Sequence, residues 1–288
     1  MTQVRGDAPL RRDRRRAQQW PAQPAADPVQ TREPERRPAH AARKARPRVS
    51  VLGVLGELLL TAGVVILLYV AWQMWIGDII MSTANNEKGH EISRNWADGP
   101  APEPPPVLEE PDDPGGEPTY EAPLLAPPGD GEYFAQMIIP RFGADYNNII
   151  AGGVTRPVTL DEGWIGVYPD TTMPGQVGNF AVAGHRTTWG APLNQVDKLQ
   201  LNDPIVVETQ EGWYVYRFRT LEYVTPDSID VLDAVPQGGG MVTGEKYITL
   251  TACSPLYSLA ERIVAYGVFD RFQPRAEGPP AALTEAGA

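Results

Sequence analysis

Three side chains in the C-terminal half of the chain are of the types that nucleophilic catalysis needs. Cys253 is the single cysteine among 288 residues, and His185 is one of three histidines. A thiol beside an imidazole can be ionised and attack an acyl carbon, and a guanidinium such as that of Arg262 can stabilise an oxyanion. One thiol and one imidazole are too few for a closed zinc site, so the sequence predicts no metal and no other cofactor.

Cys253 is predicted to lie at the exposed end of a buried strand. The apolar residues 247–251 precede it, and Ser254-Pro255 breaks the strand directly after it. The alternative is a structural cysteine, since free cysteines commonly behave as small buried hydrophobes. The topology argued below places this thiol outside the cell, where a lone cysteine is exposed to oxidation. Both this location and the place at a strand end favour a chemical role over a structural one.

His185 and Arg262 are predicted to reach the same place from neighbouring strands. The apolar run 179–183 ends just before His185, which is therefore expected at a strand end. Arg262 begins the next apolar run after Cys253, so an antiparallel pairing would bring the guanidinium beside the thiol. Each residue alone also allows a simpler interpretation: a hydrogen-bonded structural histidine, and a surface ion pair between Arg262 and a carboxylate.

An apolar segment over residues 49–76 predicts a transmembrane helix, because it can span about 30 Å of hydrocarbon and contains one charged residue, Glu57. A signal peptide is the competing interpretation, but the apolar run is longer than a typical signal core. Residues 1–48 carry 13 Lys and Arg against 5 Asp and Glu, whereas the whole chain has a formal net charge of -11. This asymmetry predicts a single-pass protein of the cell membrane, in contact with lipid, with a cytoplasmic N-terminus and an extracellular C-terminal domain.

The remaining chain divides by composition. Residues 1–48 are expected to form a disordered basic tail, and no interleaved aromatic pattern indicates nucleic-acid binding. Residues 77–132 are expected to form a juxtamembrane segment and an acidic, proline-rich linker that holds the domain off the membrane. Residues 133–272 are predicted to form an all-β barrel or sandwich, and residues 273–288 a disordered tail. The predicted strands are 134–140, 164–168, 179–183, 204–209, 213–222, 247–251 and 262–269, with a short helix at 192–199.

Longer motifs around the three residues resemble those of sortases, especially of class E. The motifs are PGQVGNFAVAGHR at 174–186, TLTAC at 249–253 and ERIV at 261–264, and Ile139-Pro140 is similar to the family's first-strand motif. The resemblance covers about residues 133–272. It implies an eight-stranded sortase-like β-barrel with short helices, preceded by one transmembrane helix.

The same resemblance implies a membrane-anchored cysteine transpeptidase. Cys253 would cleave an LPXTG-like sorting signal between Thr and Gly, with class E enzymes tending towards LAXTG, and would form a thioacyl-enzyme. An amine of a peptidoglycan precursor or a pilin would then accept the surface-protein precursor. His185 would serve as general acid and base, and Arg262 would stabilise the oxyanion.

Two features depart from the family pattern or leave its details open. Ala252 stands where the family usually has threonine before the cysteine, which affects the expected substrate preference. Residues 225–245 correspond to the specificity loop, where Asp227, Asp230 and Asp233 form a solvated acidic loop or, alternatively, a cation site.

Two other functions fit parts of the pattern. A hydrolytic cysteine peptidase on the same scaffold would release a free acid, because water rather than an amine would resolve the thioester. A non-catalytic, membrane-tethered β-domain that binds cell-wall peptides would not depend on Cys253 at all.

Overall fold

The computed structural model describes residues 50–72, 76–100, 102–109, 118–238 and 244–284. The predicted basic tail at 1–48 lies outside these residues. Contacts divide the chain into one unit at residues 1–50 and a second at residues 51–288, and nearly all described residues belong to the second.

Two helices precede the sheet. Helix α1, Val51–Ala71, is about 31 Å long and exposes its apolar side chains along its whole length. In the described part of the chain it is the one helix long and apolar enough to cross a membrane, which indicates a single-pass anchor. Residues 49 and 73–75 of the predicted span 49–76 lie outside the described residues. Helix α2, Gly77–Asp98, is polar.

The structure has ten strands among the described residues: β1 Val107–Glu109, β2 Thr119–Tyr120, β3 Tyr133–Ile138, β4 Asn148–Gly152, β5 Ile165–Val167, β6 Gly178–Ala183, β7 Pro204–Glu208, β8 Gly212–Val224, β9 Lys246–Ser254 and β10 Glu261–Pro274. Strands β3 to β10 form a closed barrel in the order β10-β8-β7-β3-β4-β5-β6-β9, and β1 and β2 form a separate pair before it. The prediction of an eight-stranded β-barrel with short helices is confirmed. The predicted strand runs overlap seven barrel strands, and the eighth, β4, was missed.

Side-chain alternation along β9 separates the barrel core from its outer face. Ile248, Leu250 and Ala252 belong to the main apolar core. The residues that alternate with them, including Cys253 directly after Ala252, therefore face the other way. Six neighbouring strand pairs are antiparallel, but β4 with β5 and β6 with β9 are parallel. Parallel pairing makes β6 and β9 end at the same edge of the barrel.

Much of the predicted juxtamembrane segment and linker, residues 77–132, packs against the barrel, which the sequence did not predict. Helix α2 packs along the barrel through polar contacts: Ser93 Oγ donates to Glu208 Oε2 at 2.7 Å, and Asn85 Nδ2 donates to the Glu162 carbonyl at 3.0 Å. Further along, Ala122 joins the apolar core, and Tyr214 Oη donates to the Pro123 carbonyl at 3.0 Å. Residues 101 and 110–117 lie outside the described residues.

The expectation of a disordered tail from residue 273 is also wrong as far as residue 284. Strand β10 continues to Pro274, and Arg275 then forms a buried ion pair with Glu208, with Nη2 and Oε1 3.0 Å apart. Ala282 is fully buried against a cluster that contains Val206 and Trp213. Residues 285–288 lie outside the described residues. The helix predicted at 192–199 is a single 3₁₀ turn, Val196–Lys198.

Candidate active site

His185 and Cys253 lie at the same edge of the barrel because β6 and β9 are neighbouring parallel strands, and each residue lies equally far beyond a paired position of these strands. Ala183 of β6 pairs with Thr251 of β9, and each candidate residue lies two positions further along. The Gly184 amide donates to the Thr251 carbonyl at 3.1 Å, which continues the ladder towards the two side chains. Register alone therefore explains how residues 68 positions apart come to the same place.

Arg262 joins them through the antiparallel pairing of β9 with β10, in which it lies directly opposite Cys253. Residues paired in this way project to the same face of the sheet. The guanidinium donates through Nη1 to the carbonyls of Leu259 and Glu261, at 3.2 Å and 2.9 Å. These two bonds fix the position of the guanidinium. Because Arg has five N–H donors, Nε and Nη2 remain for other acceptors.

All three side chains line one open cleft of about 570 Å³. Cys253 is a free, half-buried thiol. The walls combine apolar groups with backbone and hydroxyl groups, a composition typical of a site that binds an extended peptide. Tyr168 is on the wall, and its hydroxyl is hydrogen-bonded to Thr251 Oγ1 at 2.9 Å.

Asp161 is a residue of this site that the sequence reasoning missed. Its Oδ1 lies 2.9 Å from Nε2 of His185, and both side chains are largely buried. Arg156 Nε also contacts this oxygen, at 3.3 Å. A carboxylate at this distance fixes the orientation of the imidazole ring. Because Nε2 contacts Asp161, Nδ1 is the ring nitrogen that remains for other partners. No local motif marks Asp161, because it lies in the 3₁₀ helix Leu160–Glu162, far from His185 in the chain.

A buried arginine next to His185 ties the histidine segment to the cysteine segment. Arg186 is 6% exposed, and its Nη1 lies 3.4 Å from Ser254 Oγ. Its Nη2 pairs with Asp197 Oδ2 at 3.3 Å, and its carbonyl accepts a bond from Asn194 at 2.9 Å. These contacts hold the residues that follow β6 and β9 at one separation, so the cleft is preorganised.

The alanine that departs from the family pattern faces the barrel interior. Ala252 is 3% exposed and belongs to the apolar core, where a threonine hydroxyl would need a buried partner. In the specificity-loop segment, Val231 packs against Val264 and Tyr266 of β10, and its carbonyl accepts a bond from Asn179 Nδ2 at 3.1 Å. This part of the loop is therefore anchored to the barrel.

The comparison with protein families matches residues 137–270 to the sortase domain family. Sortase SrtE1 of Streptomyces coelicolor is 34% identical over 250 residues, which are 84% of this chain and 64% of that protein. Sortase SrtE2 of the same organism is 31% identical over 231 residues, 78% of this chain and 84% of that protein. The chain thus spans less than two thirds of the length of SrtE1 and most of the length of SrtE2.

Solved structures give the same result at the level of the fold. Sortase E1 from S. coelicolor, solved with a tripeptide in its active site, is 37% identical with a TM-score of 0.51, covering 54% of this chain and 99% of that one. The SrtA sortase from Actinomyces oris is 33% identical with a TM-score of 0.53, covering 58% and 97%. The SrtF sortase from Corynebacterium diphtheriae is 32% identical with a TM-score of 0.52, covering 59% and 100%.

The matches agree on the segment that forms the barrel and the cleft. The family match at residues 137–270 includes the three predicted residues and Asp161, and it begins within β3 and ends within β10. The chain belongs to the sortase family of cysteine transpeptidases, and its matched S. coelicolor relatives are the sortases SrtE1 and SrtE2.

Proposed function

We propose that Cys253 is the nucleophile of a transpeptidation reaction, that His185 moves the protons, and that Arg262 stabilises the oxyanion. The observation that carries the proposal is the convergence of these side chains on one cleft, by parallel register for the first two and by antiparallel pairing for the third. Thiol, imidazole and guanidinium are together sufficient for acyl transfer through a thioester.

The reaction follows in two half-steps. The thiol proton passes to His185, and the sulfur attacks the carbonyl carbon of a Thr–Gly peptide bond while Arg262 donates to the oxyanion. The C–N bond breaks, the imidazolium returns its proton to the departing glycine nitrogen, and a thioester remains on Cys253. An amine then attacks the thioester and gives up a proton to His185. A new amide forms, and the thiol is restored.

We propose that the substrates are surface-protein precursors with a C-terminal sorting signal of the LAXTG or LPXTG type. A half-open cleft lined by apolar and hydroxyl groups suits an extended peptide of this kind. The tripeptide in the active site of sortase E1 from S. coelicolor supports a peptide substrate in a related cleft. The acceptor is proposed to be an amine of a peptidoglycan precursor or of a pilin.

The proposed placement is a cell-membrane protein anchored by α1, with a cytoplasmic N-terminus and the barrel outside. The excess of Lys and Arg before α1 supports this orientation, since basic segments remain on the cytoplasmic side. Residues 1–48 serve in this proposal as the cytoplasmic tail, and residues 133–272 as the main part of the catalytic domain.

The test is product analysis of sorting-signal peptides with and without an added amine. The full chain in detergent is incubated with a Leu-Ala-X-Thr-Gly peptide or its Leu-Pro counterpart, and with triglycine or a diaminopimelate-type amine. We expect cleavage after Thr and an amide product when the amine is present. A peptide with D-threonine is the control. A free acid in every reaction would show a hydrolase instead, and intact peptides would show that the substrate class is wrong.

A further inference from the structure

Large apolar side chains that line the catalytic cleft or an adjoining groove, or that lie next to such residues in the chain, face solvent. Four belong to loops of the barrel and two to the first turn of α2. Leu259 is 72% exposed and Ile79 is 64% exposed, although each is large enough to be expected in a core. We call this region the apolar rim, and its members are Ile79, Ile80, Trp189, Leu256, Tyr257 and Leu259.

Four members of the apolar rim are connected by the lining of two adjoining pockets and by contacts of Asp78. Tyr257 lines the catalytic cleft with Leu259, and it also lines an adjoining groove of about 620 Å³ together with Ile79. Trp189 is held beside them because Asp78 accepts bonds from the amides of its two neighbours, Thr188 at 3.0 Å and Gly190 at 3.2 Å. Large exposed apolar side chains gathered in one region are typical of an interaction site.

The chain places the apolar rim close to the end of α1. Asp78 follows Ala71 by seven residues, which span at most about 25 Å even when fully extended. Because Asp78 is bonded to the loop that carries Trp189, the rim cannot move further from the anchor than this segment allows. Ile79 and Ile80 continue the apolar character of the anchor into the rim itself.

The opposite pole of the barrel lies at the other end of α2. Ser93 contacts Glu208, and the ring of Trp96 lies 5.7 Å from the guanidinium of Arg275. From Asp78 to Trp96 the helix rises about 27 Å. The cleft is thus at the anchor end of α2, and Arg275 is at the far end.

We infer that the apolar rim binds the surface of the lipid bilayer, so that the catalytic cleft opens at the membrane. Tyrosine and tryptophan suit the boundary between headgroups and acyl chains, and isoleucine and leucine bury apolar area there. The inference rests on the proposed membrane anchoring by α1. It replaces the expectation of a domain held away from the bilayer.

The experiment measures lipid contact at single labelled positions of the full chain. In a Cys253→Ala background, Leu259→Cys is labelled with an environment-sensitive fluorophore, and Ala276→Cys is the matched control because it is exposed beside Arg275 at the far pole. Both proteins are reconstituted into vesicles of phosphatidylethanolamine and phosphatidylglycerol with and without lipids spin-labelled near the headgroup. Circular dichroism confirms that each variant is folded, and flotation reports membrane anchoring.

We expect a blue-shifted emission and strong quenching by the spin-labelled lipids at position 259, with neither effect at position 276. Flotation without quenching at position 259 would overturn this inference and leave the anchoring intact. Equal quenching at both positions would overturn the orientation of the barrel. Failure to float would overturn the anchoring and this inference together. Leu256→Cys serves as a second rim position if labelling at 259 perturbs the fold.

Discussion

At the residue scale, the side chains proposed for catalysis have directions that are set by the backbone that carries them. Cys253 faces outward because Ala252 before it faces the core, and Arg262 faces the same way because it pairs with Cys253. His185 differs, because it lies beyond the end of its strand and needs a side-chain partner to fix its ring. Asp161 supplies that contact at 2.9 Å.

Replacing Arg262 should reduce turnover more than binding. For Arg262→Ala we expect kcat to fall on the order of 10²-fold with a smaller change in KM, because losing one oxyanion donor usually costs this much in kcat. Steady-state kinetics with a sorting-signal peptide give this value. Arg219→Ala is the control, because that guanidinium lies over the ring of Tyr247 at 5.6 Å rather than in the cleft. Near-native turnover of Arg262→Ala would remove the role assigned to it.

Asp161 is expected to act as a positioning residue through His185. For Asp161→Asn we expect kcat to fall on the order of 10-fold or more, with little change in KM, because the ring loses its orienting charge. The pH profile of kcat should shift as well. A purely structural role would instead lower kcat by one factor at every pH. Glu162→Gln, in the same 3₁₀ helix, is the control.

The three predicted residues could be selected from sequence because each belongs to a short motif beside an apolar run. Asp161 could not be selected in this way. It lies 24 residues before His185 in a turn rich in acids, and only the folded path of the chain brings the two together. The position of Trp189 beside the cleft could not be predicted from the sequence either. It depends on two neighbouring amides that donate to Asp78, a residue of a helix more than 100 positions earlier in the chain.

At the scale of elements, strands were easier to predict than the packing of the segments around them. Strand β4, Asn148–Gly152, was missed because it is short and all five of its residues are buried, so its sequence has no alternation of apolar and polar side chains. The docking of α2 was missed because its contacts are made by single polar side chains such as Asn85 and Ser93, which resemble surface residues in sequence. The C-terminal segment was missed because its composition is that of a tail.

The C-terminal segment is expected to contribute to stability through Arg275. The Arg275→Ala substitution leaves Glu208, which is 3% exposed, without its cation. We expect a loss of about 3 kcal/mol in the free energy of unfolding, as for other buried pairs with one partner removed. Chemical denaturation measures this change. The double variant Arg275→Ala with Glu208→Gln should recover part of the loss, and a double variant no more stable than the single one would contradict the explanation.

A second ion pair joins Arg141, just after β3, to Asp203, just before β7. It predicts that the stability of the fold depends on pH. Burial of Asp203 opposes ionisation, but bonds from Arg141 and from the Gln200 amide outweigh it, so the pKa of this carboxyl lies below its ordinary value. The charged form therefore stabilises the fold above the ordinary aspartate pKa. That contribution disappears as pH falls through the lowered value.

For Asp203→Asn we expect a loss of about 1–2 kcal/mol in the free energy of unfolding at neutral pH. The difference from wild type should shrink as pH falls below the ordinary aspartate value. Denaturant midpoints measured at several pH values check this. A difference that stays constant down to strongly acidic pH would contradict the assigned charge state.

At the scale of the whole molecule, the fold connects anchoring and catalysis through one helix. Helix α2 begins just after the anchor. Asp78 in its first turn contacts the loop beside His185, and Ser93 towards its C-terminal end contacts Glu208. The sequence predicted an apolar span, a juxtamembrane segment with an acidic linker, and a barrel, but not the contacts between the juxtamembrane segment and the barrel. In the structure the connection is part of the domain, which limits how far the cleft can lie from the bilayer.

The central claim, acyl transfer through Cys253, is tested most directly by intact-protein mass spectrometry after brief exposure to a Leu-Ala-X-Thr-Gly peptide. We predict a mass increase equal to the acyl fragment that ends in Thr, located on Cys253 and removed by an added amine. The adduct and the cleavage should both be absent in Cys253→Ala. Cleavage that persists in Cys253→Ala, or an adduct located on another residue, would contradict the mechanism.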